Sequence, residues 1–365
     1  MYSMKRIFSL ILIFLMTAAC LSAAVIEGPF LILSTPYHED GSVDYDSLVR
    51  EARFAVEWQT SGVIWPQSND SIDLLTREER LTGMEALVEE WRRHPSGTVL
   101  TLGVSGDDTE DMLFYAREAE RLAAESGVDL VLCARPPYYG GSIEEQRSYY
   151  ETLAGAAKRP VIIQTYVNDA CPTPPVELLV DLACRYPATY GWIKEESNKL
   201  EANDRQRKEL AAQPAIKTVF SAWGGWQWLY QRRQNGTSGL ISERVAYAPI
   251  TSCIWKMMKD GDRKGRLTEA YAMYRLLIDQ RFLSHDSLRG YSLHYLVRLG
   301  LFRNKLSRVY AGKPDAPEGT YTRKSKPCWI LEDVDLTDSQ MEELDRCYDD
   351  MMRFVKRCNG KSRHL

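Results

Sequence analysis

Eight short apolar runs recur along the first two-thirds of this 365-residue chain, and amphipathic segments separate them. The runs read PFLILS, SGVIWP, TVLTLG, VDLVLCA, PVIIQTY, YGWIK, IKTVFS and SGLIS. Each of the first seven is followed by a stretch of helical periodicity, such as TREERLTGMEALVEEWRR or SIEEQRSYYETLAGAAKR. A strand followed by a helix, repeated at intervals of roughly 25 to 35 residues, is typical of the βα units that build a parallel sheet.

The number of these units predicts how the sheet is closed. Eight units within about 230 residues match an α/β chain folded as a (β/α)8 TIM barrel, which we expect over residues 25–260. An open, doubly wound sheet is the alternative, but no glycine-rich phosphate loop follows any run, which disfavours nucleotide binding. After the eighth run the pattern is helical apart from a Pro/Gly/Lys-rich loop. We therefore expect a C-terminal helical extension over residues 261–365.

The N-terminus has the layout of a secretory signal peptide. Basic Lys5 and Arg6 precede an apolar run over residues 7–16, and small residues follow as far as Ala24. The run is shorter than the roughly 20 residues that a membrane-spanning helix needs. We expect residues 1–24 to be a signal peptide cleaved after Ala24, with lipidation of Cys20 as the alternative. Either way the protein is expected to be exported, periplasmic or lipid-anchored at the cell envelope.

Composition excludes several classes of partner. The formal net charge is -4 and the chain has no Lys/Arg run, so we expect no nucleic-acid partner. The seven cysteines beyond Cys20 are widely scattered and form no C-x-x-C pair, and none of the five histidines is paired at helical ligand spacing. This pattern favours buried thiols over a disulfide framework or zinc site. We expect no metal and no cofactor.

Lys194 ends the apolar run YGWIK, and three interpretations are open for it. It can be a solvent-facing lysine, half of an ion pair with Glu195 or Glu196, or a desolvated nucleophile. Adjacent strand residues point to opposite faces, so Glu195 would not meet it easily. In a (β/α)8 barrel the carboxyl end of a strand is where catalytic groups lie. Loss of solvation there favours the uncharged amine, which can attack a carbonyl to form a Schiff base.

Four segments resemble the dihydrodipicolinate synthase / N-acetylneuraminate lyase family of class I aldolase-like barrels. LILSTPYHEDGSVDYDSLVR is similar to its first strand and T-P-F turn, and SIDLLTREER to the segment after its second strand. NGTSGLIS followed by AP resembles the eighth strand, and GWIKEES resembles the G-x-K-E/D segment that carries the Schiff-base lysine. The resemblance implies that Lys194 forms the imine and that Thr35 and Ser242 bind substrate. It also implies a homo-oligomer, a dimer or a tetramer.

Two family segments are altered in this chain. The family's G-T-T-G-E segment, which binds the carboxylate of a 2-oxo acid, aligns on QSNDS, where Ser68 keeps a hydroxyl and Asn69 has an amide. The tyrosine of the family's Y-N-x-P segment aligns on Gln164, while Tyr166 lies 28 residues before Lys194, the family's usual tyrosine-to-lysine spacing. Gln164 and Tyr166 therefore compete for the same catalytic position. A glutamine can hold a carbonyl or water, but it cannot carry a proton.

These residues predict a Schiff-base lyase or aldolase that acts on a small-molecule 2-oxo acid through Lys194. Asp169 aligns near the synthase arginine that binds a second carboxylate, which disfavours a dicarboxylic substrate. Trp223 and Trp226 could stack on a sugar or belong to the core. A sugar-derived acid is the preferred substrate class, because the synthase arginine is missing and these aromatic residues border the expected site. The alternative is a non-catalytic barrel that binds carbonyl compounds or sugar acids after losing the proton relay.

Overall fold

The computed structural model describes residues 25–68, 70–137, 142–166, 172–198, 200–225, 227–260, 266–279, 288–310, 329–334 and 336–361. The predicted signal peptide, residues 1–24, lies outside this part of the chain, and so does the Pro/Gly/Lys-rich loop.

Eight parallel strands close into a barrel in sequence order, with β8 paired to β1. They are β1 (Gly28–Ile32), β2 (Gly62–Trp65), β3 (Val99–Gly103), β4 (Leu130–Ala134), β5 (Val161–Gln164), β6 (Trp192–Glu195), β7 (Thr218–Ser221) and β8 (Gly239–Arg244). The predicted TIM barrel is confirmed. Each strand overlaps one of the eight predicted apolar runs. β1 begins one residue before its run, β6 ends one residue after its run, and β8 ends two residues after its run.

A helix follows each strand. The first eight helices are α1 (Tyr45–Glu57), α2 (Arg77–Arg93), α3 (Thr109–Ser126), α4 (Ile143–Ala156), α5 (Val176–Arg185), α6 (Ala202–Ala211), α7 (Trp228–Asn235) and α8 (Ala248–Asp260). Side-chain caps fix where several of them begin. Thr76 and Glu79 form a reciprocal capping box at α2, and Ser142 and Glu145 form another at α4.

Period-two alternation along the strands separates two apolar layers. Phe30, Ile64, Val131, Ile162 and Phe220 fill the inside of the barrel, in one buried cluster. Their strand neighbours point outward into a larger cluster shared with the helices. Both faces of each strand are therefore buried, which explains why the runs are apolar without interruption.

The chain beyond α8 forms α9 (Arg266–Asp279), α10 (Leu288–Arg298) and α11 (Asp338–Lys361), as the helical pattern predicts. It also forms an antiparallel pair that the sequence analysis did not predict, β9 (Leu306–Tyr310) with β10 (Trp329–Asp333). Helices α9 and α11 pack against α8. The division of the chain at residue 260 stays a prediction.

Within the described residues, no helix combines the length and hydropathy needed to cross a membrane.

Candidate active site

Lys194 lies in β6 on the inward face of the barrel, near the carboxyl end of the strand. Trp192, two residues earlier, packs against the interior cluster, whereas Ile193 belongs to the outer layer. The Lys194 side chain is fully buried, and its strand neighbours are Gln164 of β5 and Phe220 of β7. A solvent-facing role for this lysine is therefore ruled out.

The carboxylate of Glu196 meets the Lys194 amine. Oε2 of Glu196 lies 3.0 Å from Nζ, which is an ion-pair distance. The angles at the two atoms do not meet the geometry of a hydrogen bond. Glu196 follows Lys194 by two residues, and this spacing returns it to the same face of the strand. Glu195 points the other way and contacts Arg205 of α6 at 3.2 Å. Of the two ion pairs considered for Lys194, the structure forms the one with Glu196.

Gln164 connects this ion pair to the loop after β2. Its Nε2 donates a hydrogen bond to Oε2 of Glu196. Its Oε1 accepts one from Oγ of Ser68 at 3.4 Å. Because Gln164 is in register with Lys194, it occupies the position beside the lysine to which the family alignment assigns a tyrosine.

Arg135 brings a buried positive charge to the same region. Its Nη1 donates to Oγ of Ser68 at 3.0 Å, and its Nη2 donates to Oδ1 of Asp73 at 2.8 Å. The Arg135 side chain is only 1% exposed, and that of Asp73 is 20% exposed. Arg135 follows β4 directly, so its backbone lies at the carboxyl end of the barrel, where catalytic loops are found.

Tyr166 lies two residues beyond Gln164, after the end of β5. Its ring centroid is 5.4 Å from the guanidinium carbon of Arg135. The structure thus places Tyr166 beside Arg135, and Gln164 beside Lys194. A catalytic role for either residue stays a prediction.

Thr35 makes contacts with a different set of side chains. Its hydroxyl and its backbone N–H both donate to Asp70, and Nε1 of Trp65 donates to the hydroxyl at 3.0 Å. Nη1 of Arg244 reaches the same Asp70 at 3.4 Å. Ser242 is buried in β8. Substrate binding by both residues stays a prediction.

Three residues of the sequence analysis, Asn69, Asp169 and Trp226, lie outside the described part of the chain. Trp223 is partly buried, and its Nε1 donates to the backbone oxygen of Ser197 at 2.7 Å, which anchors the loop after β7 to the loop after β6.

Cys133 lies on the inward face of β4, in the same interior cluster. Nε2 of Gln67 is 3.4 Å from its Sγ. Burial raises the pKa of the Cys133 thiol to about 12, although the nearby charge of Lys194 acts in the opposite direction. Cys133 is therefore a neutral thiol at ordinary pH and a poor nucleophile.

A cavity of about 1520 Å³ lies at the other end of the barrel. It is lined by residues such as Trp58, Thr98, Asp129 and Lys256, which lie before the strands or on the surrounding helices. We place the candidate site at the carboxyl end because the nucleophile and its polar partners meet there. Nowhere in the described residues do three or more His, Cys, Asp or Glu side chains group as metal ligands would.

The comparisons with known proteins identify the family. A model of the dihydrodipicolinate synthetase family matches residues 26–282. The chain belongs to this family. Among curated relatives, 4-hydroxy-tetrahydrodipicolinate synthase of Bartonella bacilliformis is 23% identical over 67% of this chain and 79% of its own length. The synthase of Chlorobaculum parvum is 26% identical over 73% of this chain and 86% of its own length.

Solved structures of the dihydrodipicolinate synthetase family share the fold. The synthase of Methylacidiphilum fumariolicum matches with a TM-score of 0.68 at 16% identity, covering 92% of this chain and 99% of that one. Dihydrodipicolinate synthase of Aquifex aeolicus matches with a TM-score of 0.66 at 18% identity, covering 89% and 98%. Homologues in this family are lyases, and the family relationship supports Schiff-base chemistry in general terms.

Arg135 and Asp73 are site residues that the sequence analysis missed. Each is a lone charged residue in a loop, and such residues are ordinarily solvated. One signal was present in the sequence, since Arg135 directly follows an apolar run at the carboxyl end of a predicted barrel strand. Its partner Asp73 is 62 residues away, and only the closed barrel brings the two together.

Proposed function

We propose that this dihydrodipicolinate synthetase family member is a lyase or aldolase that forms a Schiff base with a 2-oxo acid through Lys194. The observation that carries the proposal is a fully buried amine on the inward face of β6, with Gln164 and Glu196 beside it. A buried lysine on an enzyme's catalytic face is suited to nucleophilic attack on a carbonyl.

The remaining polar residues fit the two ends of such a substrate. Ser68 and the Arg135 guanidinium, 3.0 Å apart, form a donor pair for the substrate carboxylate. Asn69, next to Ser68 in the chain, would add an amide donor. Gln164 would hold the carbonyl oxygen beside Lys194.

A sugar-derived 2-oxo acid is the preferred substrate class. The sequence puts Asp169 where the synthase arginine binds a second carboxylate, and a dianionic substrate would meet a like charge there. Turnover of pyruvate with aspartate semialdehyde should therefore be very low. Pyruvate or 2-oxo sugar acids released from longer acids are the products to look for.

Reduction with borohydride tests the proposal. The protein is incubated with a panel of 2-oxo acids, reduced, digested and examined by mass spectrometry. The mass of a reduced adduct should appear on the peptide containing Lys194 and be lost in Lys194→Arg, since a guanidinium stays protonated and cannot attack. Exposed Lys208 of α6 is the matched control, and Lys208→Arg should label as the wild-type protein does. Equal labelling of both lysines, or of neither by any acid, would contradict the proposal.

The second candidate is a non-catalytic barrel that binds a carbonyl compound or a sugar acid. It is favoured by the glutamine in register with Lys194, where the family alignment has a proton-carrying tyrosine. The two candidates differ in carbon–carbon bond cleavage, which the binding protein would lack although it captured the ligand.

We also propose that the protein is a homo-oligomer, a dimer or a tetramer, by analogy with the family. Light scattering coupled to gel filtration, on protein without residues 1–24, measures the mass directly.

A further inference from the structure

An imine-forming lysine needs a neighbouring group that accepts and donates protons. Few of the described side chains near Lys194 can do this. Gln164 is a neutral amide, which neither takes up nor releases a proton readily at ordinary pH. Cys133 has a thiol with a pKa of about 12, too high for efficient transfer. The ring of Tyr166 lies 5.4 Å from the guanidinium carbon of Arg135. Among these described side chains, Glu196 has the carboxylate that lies within direct reach of the amine.

We propose that Glu196 is the proton carrier of this site, an inference that rests on the proposed function of Lys194. Its Oε2 is 3.0 Å from the Lys194 Nζ, within reach of direct transfer. Its side chain is 14% exposed, so it is neither fully solvated nor sealed in the core.

Two contacts fix the position of this carboxylate. The hydroxyl of Thr165 accepts the backbone N–H of Glu196 at 2.7 Å, which secures the chain just beyond β6. Gln164 donates from Nε2 to the carboxylate oxygen that faces the amine. Gln164 therefore acts as a positioning residue for Glu196, a role that an amide can fill and that requires no proton transfer.

Glu196 alone can accept and return the proton that imine formation requires. Glu196 takes a proton from the Lys194 ammonium, and the free amine attacks C2 of the 2-oxo acid while the carbonyl electrons move to oxygen. One nitrogen proton passes to that oxygen, which gives a neutral carbinolamine. Glu196 then returns its proton to the hydroxyl, water leaves, and the nitrogen lone pair forms the protonated imine. Ketone and ammonium have become iminium and water, and Glu196 is again a carboxylate.

The same carboxylate can then remove a proton from C3 of the iminium, giving an enamine and a protonated Glu196. Reversal of this step returns the proton to C3. A bound 2-oxo acid should therefore exchange its C3 hydrogens with solvent, an exchange that depends on Glu196.

The test compares Glu196→Gln with the wild-type protein, since glutamine keeps the shape and an acceptor oxygen for Gln164 but carries no proton. The rates of borohydride-trapped imine formation and of deuterium uptake at C3 of pyruvate in heavy water should both fall roughly 10²- to 10⁴-fold. Glu201→Gln, at an exposed position before α6, is the matched control and should leave both rates unchanged. Circular dichroism establishes that each variant is folded.

Chemical rescue separates proton transfer from a structural role. Formate added to Glu196→Ala should restore both rates in proportion to its concentration, while chloride at equal ionic strength should not. Unchanged or faster imine formation in Glu196→Gln would overturn the proposal, because it would mean that the ion pair only keeps Lys194 charged. Loss of rate without rescue by formate would also overturn it. Absence of trapping in the wild-type protein would instead remove the proposed function, and this inference with it.

Discussion

Arg308 of β9 and Glu79 of α2 form a two-pronged ion pair between the extension and the barrel. Nη1 and Nη2 of Arg308 lie 2.8 and 2.5 Å from the two carboxylate oxygens of Glu79. The same guanidinium donates to the backbone oxygens of Gly41 and Leu74, in the loops after β1 and β2. The extension is thus tied to the loops at the carboxyl end of the barrel, one of which carries Ser68 and Asp73.

Replacing Arg308 with alanine should destabilise the protein strongly. The arginine side chain is only 3% exposed. Its removal takes its donor groups from two backbone carbonyls and leaves the Glu79 carboxylate with the Thr76 N–H but without its counter-charge. We expect the free energy of unfolding to fall by roughly 3 to 5 kcal/mol. Urea unfolding measures the change. Arg346→Ala removes an exposed ion pair within α11 and should change it by less than about 1 kcal/mol. Equal effects of the two substitutions would count against this account.

Replacing Arg135 with lysine should weaken the binding of 2-oxo acids. Lysine keeps the charge but loses the fork that reaches Ser68 and Asp73 together. A hydrogen bond to a charged group contributes about 1.5 to 3 kcal/mol, so KM should rise roughly tenfold or more. Hydroxyacetone, which lacks the carboxylate, should show little change. Arg121→Lys on the surface of α3 is the control, and a KM that stays constant for every substrate would refute the carboxylate role.

Glu51 should make stability fall as pH rises. Burial raises the pKa of this carboxyl well above its ordinary value of 4.5, against the backbone hydrogen bond from Ser34, which lowers it. Above 4.5 the unfolded chain loses this proton first, so the folded state binds more protons and the free energy of unfolding decreases with pH. This decrease in the free energy of unfolding continues until the pH reaches the pKa of Glu51 in the folded protein.

Glu51→Gln should remove this component of the pH dependence and keep an acceptor for the Ser34 N–H. Measured by urea unfolding, the free energy of unfolding should decrease less between about pH 5 and about pH 8 in the variant than in the wild-type protein. Glu57→Gln, exposed on the same helix, should behave as the wild type does. If the free energy of unfolding changed equally with pH in the wild type and in Glu51→Gln, the raised pKa of Glu51 would be contradicted.

Alkylation should distinguish Cys133 from Cys184. The first is a buried thiol with a pKa of about 12, and the second is exposed on α5. With iodoacetamide at about pH 8, Cys184 should be modified in the folded protein while Cys133 should react only after denaturation. Peptide mass spectrometry gives both extents of reaction. Rapid modification of Cys133 in the native state would show that the barrel interior is open to solvent.

Export remains a proposal that rests on the N-terminal sequence. Strand β1 begins at Gly28, whose N–H bonds to the backbone oxygen of Ser238, so cleavage after Ala24 leaves the barrel intact. Mass spectrometry of protein from its native cell should find a mature N-terminus at Val25 or a lipidated Cys20. An intact Met1 would contradict export.

Local pattern was enough to predict the barrel and the direction of its key side chain. Apolar runs buried on both faces identify the strands, and period-two alternation puts Lys194 and Glu196 on one face with Glu195 on the other. These features depend only on neighbours along the chain, so they can be read without knowing where distant residues lie.

Tertiary structure decided what surrounds the lysine. Two alignments left Gln164 and Tyr166 competing, and the pairing of β5 with β6 put Gln164 beside Lys194. Ser68 and Arg135 are 67 residues apart in the chain, and closure of the barrel brings their side chains to 3.0 Å. The pair of β9 with β10 is likewise formed by segments that are apart in sequence. The sequence by itself determined each side chain's chemistry and the strand face it occupies. Strand register and barrel closure determined the partners, because contacts across a barrel depend on the whole chain's path and not on any local repeat.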